Sequence, residues 1–158
     1  MLELVLAACN GNGHVREAAV VRLSETDHAA TLPVLALRAA DWVPQVRDRA
    51  RLACRRRLDH VPAPAFAGIA SVALALRDRR TGDWLAGVLE SLLREGPDEL
   101  LAAALTSVDR RTRRLAYTAA LAADRLGLDR LLRSALTDGD LPIRIGRASC
   151  RERVFITV

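Results

Sequence analysis

Residues 41–50 read Asp41-Trp42-Val43-Pro44-Gln45-Val46-Arg47-Asp48-Arg49-Ala50, and their reading decides the fold. A turn residue leads into a proline, which a helix tolerates only in its first turn. From Val43 to Leu58 the residues Val43, Val46, Ala50, Ala53 and Cys54 recur on one helical stripe, with Asp48, Arg49 and Arg56 largely on other faces. The same opening, [V/T]-R-x-x-A, returns as Val15-Arg16-Glu17-Ala18-Ala19 and Thr112-Arg113-Arg114-Leu115-Ala116, and begins again at Ile143-Arg144. First positions 15, 46, 112 and 143 lie 31, 66 and 31 apart, and 66 is two steps of 33. The missing middle copy falls near position 79, where Asp78-Arg79-Arg80-Thr81-Gly82-Asp83-Trp84 reads as a degenerate start.

Working outward, apolar periodicity predicts helices near Leu2–Cys9, His14–Ser24, Ala29–Ala40, Val43–Leu58, Pro64–Arg77, Asp83–Arg94, Asp98–Ser107, Arg111–Ala123 and Asp129–Ala135, with another starting at Leu141. Turn chemistry separates them: Asn10-Gly11-Asn12-Gly13, Asp41, Pro62–Pro64, Thr81-Gly82-Asp83, Gly96-Pro97-Asp98, Gly127 and Asp138-Gly139-Asp140. No stretch sustains period-2 alternation. Aromatics make up only 3% of the chain, and Ala, Leu and Arg dominate, which favours closely packed helices over strands. The fold class expected is all-α, a row of helix pairs of about 31–33 residues each.

A single amphipathic pair cannot bury its apolar face; stacked pairs make the core continuous. The Ala three residues after each repeated Arg lets neighbouring first helices approach. The Arg in the first turn is placed to bridge to an adjacent repeat's loop. The pairs Asn12/Arg16, Asp41/Arg47, Asp109/Arg113 and Asp140/Arg144 are therefore expected to form a structural inter-repeat ladder.

On Val15, Arg16, Ala19, Asp41, Pro44, Val46, Arg47, Ala50, Arg113, Ala116, Asp140, Pro142, Ile143 and Arg144, the chain resembles HEAT-repeat proteins of the short bacterial type, the class grouped with the HEAT-like repeats of phycobilin lyases. The resemblance spans about residues 2–144. It implies a right-handed α-solenoid of antiparallel helix pairs, about four repeats, with units near 12–41, 42–79, 80–108 and 109–139 and a partial unit at 140–144. The segment around Thr81 departs from the pattern.

The tail is read differently. The repeat calls for Ala at position 147, where Arg147 stands. From Ile145 to Val154 the string Ile-Gly-Arg-Ala-Ser-Cys-Arg-Glu-Arg-Val resembles one reading frame of a common sequencing adapter, with Phe155–Val158 as run-on. Residues 145–158 are expected to be non-native, with a repeat array cut off inside a unit.

Chemistry-bearing residues are sparse. All 24 basic residues are Arg, and the formal charge is +5. Three of those arginines and one acid lie in the tail, leaving a balance too mild to predict a nucleic-acid partner. Cys9, Cys54 and Cys150 show no CxxC spacing; Cys9 and Cys54 are expected as small buried hydrophobes, without disulfides. This fits a reducing compartment, expected to be the cytoplasm. No apolar run is long enough to span a bilayer, and the short apolar start lacks a basic region before it. His14, His28 and His60 lie at no helical spacing from one another or from a Cys, so no metal is expected. Gly11-Asn12-Gly13 lacks the strand a dinucleotide loop needs. Glu17, Asp48, Glu90 and Glu95 give no acid–base pair, and neither a catalytic set nor a cofactor is expected.

Arginine and tryptophan carry the candidate binding surface. Arg47, Arg51 and Arg55 lie four apart on one helical line; Arg49, Arg56 and Arg57 form a second; Arg110, Arg111, Arg113 and Arg114 crowd another helix start. Trp42 and Trp84 both sit where helices begin. Trp42, Arg51, Arg55, Trp84, Arg110 and Arg114 are the candidates for partner contact. The function expected is a non-catalytic scaffold that binds protein or peptide. Two alternatives stand beside it: a nucleic-acid-binding protein like the HEAT-like DNA glycosylases, and a chromophore lyase suggested by the repeat family alone.

Overall fold

The computed structural model describes residues 1–144, so the adapter-like tail and Cys150 lie outside the described residues. Ten α-helices and one 3₁₀ turn are seen, and no strand, among the described residues. They are α1 (Leu2–Ala8), α2 (Gly13–Glu25), the 3₁₀ turn (Ala29–Thr31), α3 (Leu32–Arg38), α4 (Pro44–Leu58), α5 (Ala63–Leu76), α6 (Asp83–Glu95), α7 (Asp98–Leu105), α8 (Arg110–Ala122), α9 (Leu128–Thr137) and α10 (Leu141–Arg144). The all-helical expectation holds. The helix expected over Ala29–Ala40 is shorter: it is preceded by the 3₁₀ turn and stops at Arg38.

Local chemistry explains where helices start. Asn12 caps α2 by accepting from the His14 N–H, and Asp109 caps α8 by accepting from the N–H groups of Arg111 and Thr112. Proline sits in the first turn of α3, α4 and α5, where its missing N–H costs nothing. At the end of α8 the Arg125 N–H bonds the Ala120 carbonyl and the Asp124 N–H bonds that of Leu121, a Schellman motif. It forces Asp124 to φ 53°, a left-handed conformation that glycine adopts at least cost. Asp124→Gly is therefore expected to stabilise the fold by about 0.5–1 kcal/mol, measured by urea denaturation.

The described residues form two compact units, Met1–Leu89 and a second running from Glu90 onward, the division falling within α6. In the first, α2 packs on α1 and α4, and α3 packs on α4 and α5. Its core is Ala- and Leu-rich: Ala19, Val20 and Leu23 of α2, Leu35 and Ala36 of α3, Val46, Ala50 and Cys54 of α4, and Phe66, Ile69, Ala70 and Ala73 of α5 are all buried. Small Ala faces let these helices approach closely. In the second unit α7 packs on α8, and α10 packs on both α8 and α9. Leu101, Ala104, Leu115, Ala116, Ala119 and Ala120 are buried there. Helix α9 buries no residue, and its Leu128, Leu132 and Leu136 form an exposed line.

Of the cysteines expected inside, Cys54 is buried, and burial pushes its thiol up to about 12. Cys9 is exposed: it follows the last residue of the seven-residue α1, where Ala8 supplies the buried contact instead.

Candidate functional site

The helix starts share one hydrogen-bonding plan. Three residues before the first helical residue stand Asn10 (α2), Asp41 (α4), Ser107 (α8) and Asp138 (α10). In each case that side chain accepts the N–H two residues on: Asn10 from Asn12 at 2.8 Å, Asp41 from Val43 at 2.9 Å, Ser107 from Asp109 at 3.2 Å and Asp138 from Asp140 at 2.8 Å. These are Asx and Ser turns, which fix the chain for helix entry.

The fourth helical residue is Arg in α2, α4, α8 and α10: Arg16, Arg47, Arg113 and Arg144. Side chains on a helix lean toward its N-terminus, so such an Arg folds back over its own turn. Arg16 Nη1 donates to the carbonyls of Asn10 and Gly11, at 2.9 Å each. Arg113 Nη1 donates to those of Ser107 and Val108, at 2.8 and 3.2 Å. The remaining guanidinium edge then faces the next turn, 25 residues on. Arg16 makes a bidentate pair with Asp41 at 2.9 and 3.0 Å, and Arg113 Nη2 lies 3.5 Å from Asp138.

Two bridges between turns form, from Arg16 and from Arg113, and their partners are not those of the expected pairs. Asn12 caps its helix and does not meet the Arg16 guanidinium, whose acid is Asp41. Asp41 binds Arg16 and Arg38; Arg47 is left with Asp48, at 3.4 Å. Asp109 is consumed in capping α8, so Arg113 turns to Asp138. Asp140 takes Arg114 in a bidentate pair at 2.7 and 2.8 Å. Arg144 donates instead to the Ala135 carbonyl. An aspartate next to a helix start satisfies backbone N–H groups first, so its charge partner comes from a different turn.

The carboxylate pKa values follow from these contacts. Burial alone would raise Asp41; the Arg16 hydrogen bond, the Val43 N–H and the charges of Arg16 and Arg38 outweigh it and hold the group below its ordinary 3.8. Burial likewise opposes, and hydrogen bonds from Thr112 and Arg111 overcome, the shift at Asp109, which also falls. At Asp140 the Arg114 hydrogen bond leads and the value falls again. A carboxylate depressed in the fold adds stability above its unfolded value and loses it as pH drops through the folded value. The urea midpoint is thus expected to be flat above about pH 5 and to fall steadily below it, followed by ellipticity.

The first unit holds a cleft of about 870 Å³ beside α4 and the turn before α6. It is lined by Arg38, Arg47, Arg51, Arg79 and Arg80 against Asp41 and Asp83, with Trp42, Thr81, Leu37, Ala40 and Leu76. Trp42 is 77% exposed, and the Arg16 guanidinium lies 5.5 Å from its ring centre. Arg51 fixes one wall. It donates to the carbonyls of Ala39 at 3.1 Å and Thr81 at 3.0 Å, while Thr81 donates its hydroxyl to the Ala40 carbonyl at 2.9 Å. Burial, and then the like charge of Arg47, lower the Arg51 pKa. Arg51 and Arg55 both cover the Trp84 ring, at 5.0 and 5.3 Å.

The expected surface is thereby sorted. Trp42 and Arg51 line the cleft. Trp84 and Arg55 do not line it, and the Trp84 ring is covered by Arg51 and Arg55. Arg110 is exposed in the other unit, and Arg114 there is an ion-pair partner of Asp140. Arg57, counted with the second arginine line, reaches back to Thr31 and to the Leu23 and Thr26 carbonyls at the end of α2, a favourable place for a cation. Arg49 pairs with Glu17 at 2.8 Å. Sequence reasoning missed Arg38, Arg79, Arg80 and Asp138. A signal existed: Asn10, Asp41, Ser107 and Asp138 each stand five residues before the first residue of a repeated V/T/I-R pair.

Among the described residues no group of three or more His, Cys, Asp or Glu is placed to hold a metal ion, and no described helix is long and apolar enough to cross a membrane. Comparison of the chain with family models, with curated proteins and with solved structures finds no match.

Proposed function

We propose that the chain is a non-catalytic interaction module, a HEAT-like array of antiparallel helix pairs belonging to a right-handed α-solenoid, that binds a protein or peptide partner. The observation that carries this reading is the cleft of the first unit: five arginines against two aspartates, around a tryptophan left 77% exposed. Exposed Trp beside Arg is the composition of interface anchors. The recurrence of the turn and its arginine at α2, α4, α8 and α10 supports the repeat reading. A cleft of this size suits a side chain or short segment. Phosphate tracking by a nucleic-acid binder is less well supported. Trp84, the second aromatic platform such a surface would use, lies under Arg51 and Arg55.

A photo-cross-linking amino acid placed at Trp42 tests the reading in cells. Protein adducts are expected, and they should fade when Arg47 and Arg79 are both changed to Ala. Recovery of nucleic acid alone would overturn it.

A further inference from the structure

Two steps of the arginine ladder are closed, and one is open. In the closed steps the fourth helical arginine faces an aspartate in the next turn: Arg16 faces Asp41, and Arg113 faces Asp138. Arg47 holds the same helical position in α4. The next turn leads into α6, and the residue three before its start is Arg80, where the other turns carry Asn10, Asp41, Ser107 and Asp138. The acid of this step is thus replaced by a base. Arg47 and Arg80 line the same cleft, together with Arg79. Arg47 is left with Asp48 of its own helix, an acid 69% exposed, and among the described residues neither Arg79 nor Arg80 has a carboxylate partner. Of the other charges of the cleft, Arg38 pairs with Asp41, Arg51 is held by two carbonyls, and Asp83 at the start of α6 is in no ion pair with Arg47, Arg79 or Arg80 among the described residues.

We infer that the cleft is a ladder step whose carboxylate is supplied from outside, by an Asp or Glu side chain of the partner seated against Arg47. This rests on the interaction-module reading and names the chemistry of the segment the module holds. The Arg16–Asp41 step shows the geometry available: a bidentate carboxylate between a guanidinium and the turn before the next helix, at 2.9 and 3.0 Å, the strongest form of such a pair. Arg79 and Arg80 add charge that draws an acid in, and Trp42 at the rim offers a face for the residue beside it.

The test uses the whole chain, titrated with pentaglutamate and with pentaglutamine, and followed by tryptophan emission. Pentaglutamate is expected to bind with marked salt sensitivity, and pentaglutamine not to bind. Arg47→Ala should weaken pentaglutamate at least about tenfold, with unchanged ellipticity. Arg80→Asp supplies the missing acid internally. It should weaken the peptide similarly and also raise the thermal midpoint above wild type and above Arg80→Ala. If Arg80→Asp raises no midpoint, or Arg47→Ala leaves affinity unchanged, the open-step inference falls and the interaction reading survives on the cross-linking result. Binding of a single-stranded oligonucleotide without pentaglutamate would overturn both.

Discussion

Arg16→Ala is expected to cost about 3 kcal/mol of unfolding free energy, the largest effect of any surface-proximal substitution in this chain. Arg16 is only 3% exposed, and its donors serve four acceptors: both Asp41 oxygens and the carbonyls of Asn10 and Gly11. Removing it strands Asp41, also buried, with Arg38 and the Val43 N–H as its remaining partners. It also leaves two turn carbonyls without their donor. Breaking a buried pair from one side costs far more than the pair's net contribution, because desolvation of the survivor is no longer offset. Arg16→Ala/Asp41→Ala should accordingly lose less than the sum of the single losses. Urea denaturation of the four proteins of this cycle, read by ellipticity, measures the coupling; strict additivity would mean that the two residues act independently. Arg49→Ala is the control: Arg49 is 57% exposed against Glu17, itself 27% exposed, and about 1 kcal/mol or less is expected.

Gly82→Ala is expected to lower stability by at least about 2 kcal/mol and to abolish binding in the cleft. A Cβ at this position would lie 1.7 Å from the Leu76 carbonyl oxygen and 2.6 Å from its carbon. Both are backbone atoms, and that oxygen accepts the Arg79 N–H at 2.9 Å, so it cannot withdraw without opening the turn. The turn carries Arg79, Arg80 and Thr81, and opening it frees the Thr81 carbonyl from Arg51. Gly87, with nothing within 4 Å of its added Cβ, gives the contrast. Gly87→Ala lies inside α6 and is expected to stabilise by up to about 1 kcal/mol. Thermal midpoints of both variants, with pentaglutamate titrations, check the pair of expectations; equal effects would mean that steric access at Gly82 is not limiting.

The repeated opening made the helices readable from sequence. Val46-Arg47 and Thr112-Arg113 place α4 and α8 to within one residue, because a proline or capping aspartate, an apolar stripe and a close-packing Ala all agree there. Of the recurring first-turn arginines, Arg16 and Arg113 bridge to the next turn, while Arg47 pairs within its own helix and Arg144 donates to the Ala135 carbonyl. These partners were not legible. Whether Asp109 or Asp138 receives Arg113 depends on which backbone N–H groups each aspartate must already satisfy, and on contact across 25 residues. The cleft was half-legible for a related reason. Arg47 and Arg51 stand out on one helical line, and Trp42 at the entrance of the same helix. Arg79 and Arg80 stood in the segment where the repeat pattern fails, and only the boundary of α6 puts Arg80 three residues before a helix start. Cys9 was misassigned because apolar character in a helix as short as α1 does not say which face is covered.

Both tryptophans of the chain, Trp42 and Trp84, belong to the unit Met1–Leu89, and the only tyrosine, Tyr117, to the other. Indole emission therefore watches one half of the molecule, while far-ultraviolet ellipticity sums over both. A denaturant titration recorded with the two probes together becomes a cooperativity gauge that requires no labelling. Superimposed curves mean that the halves melt as one, and displaced curves give each half its own midpoint.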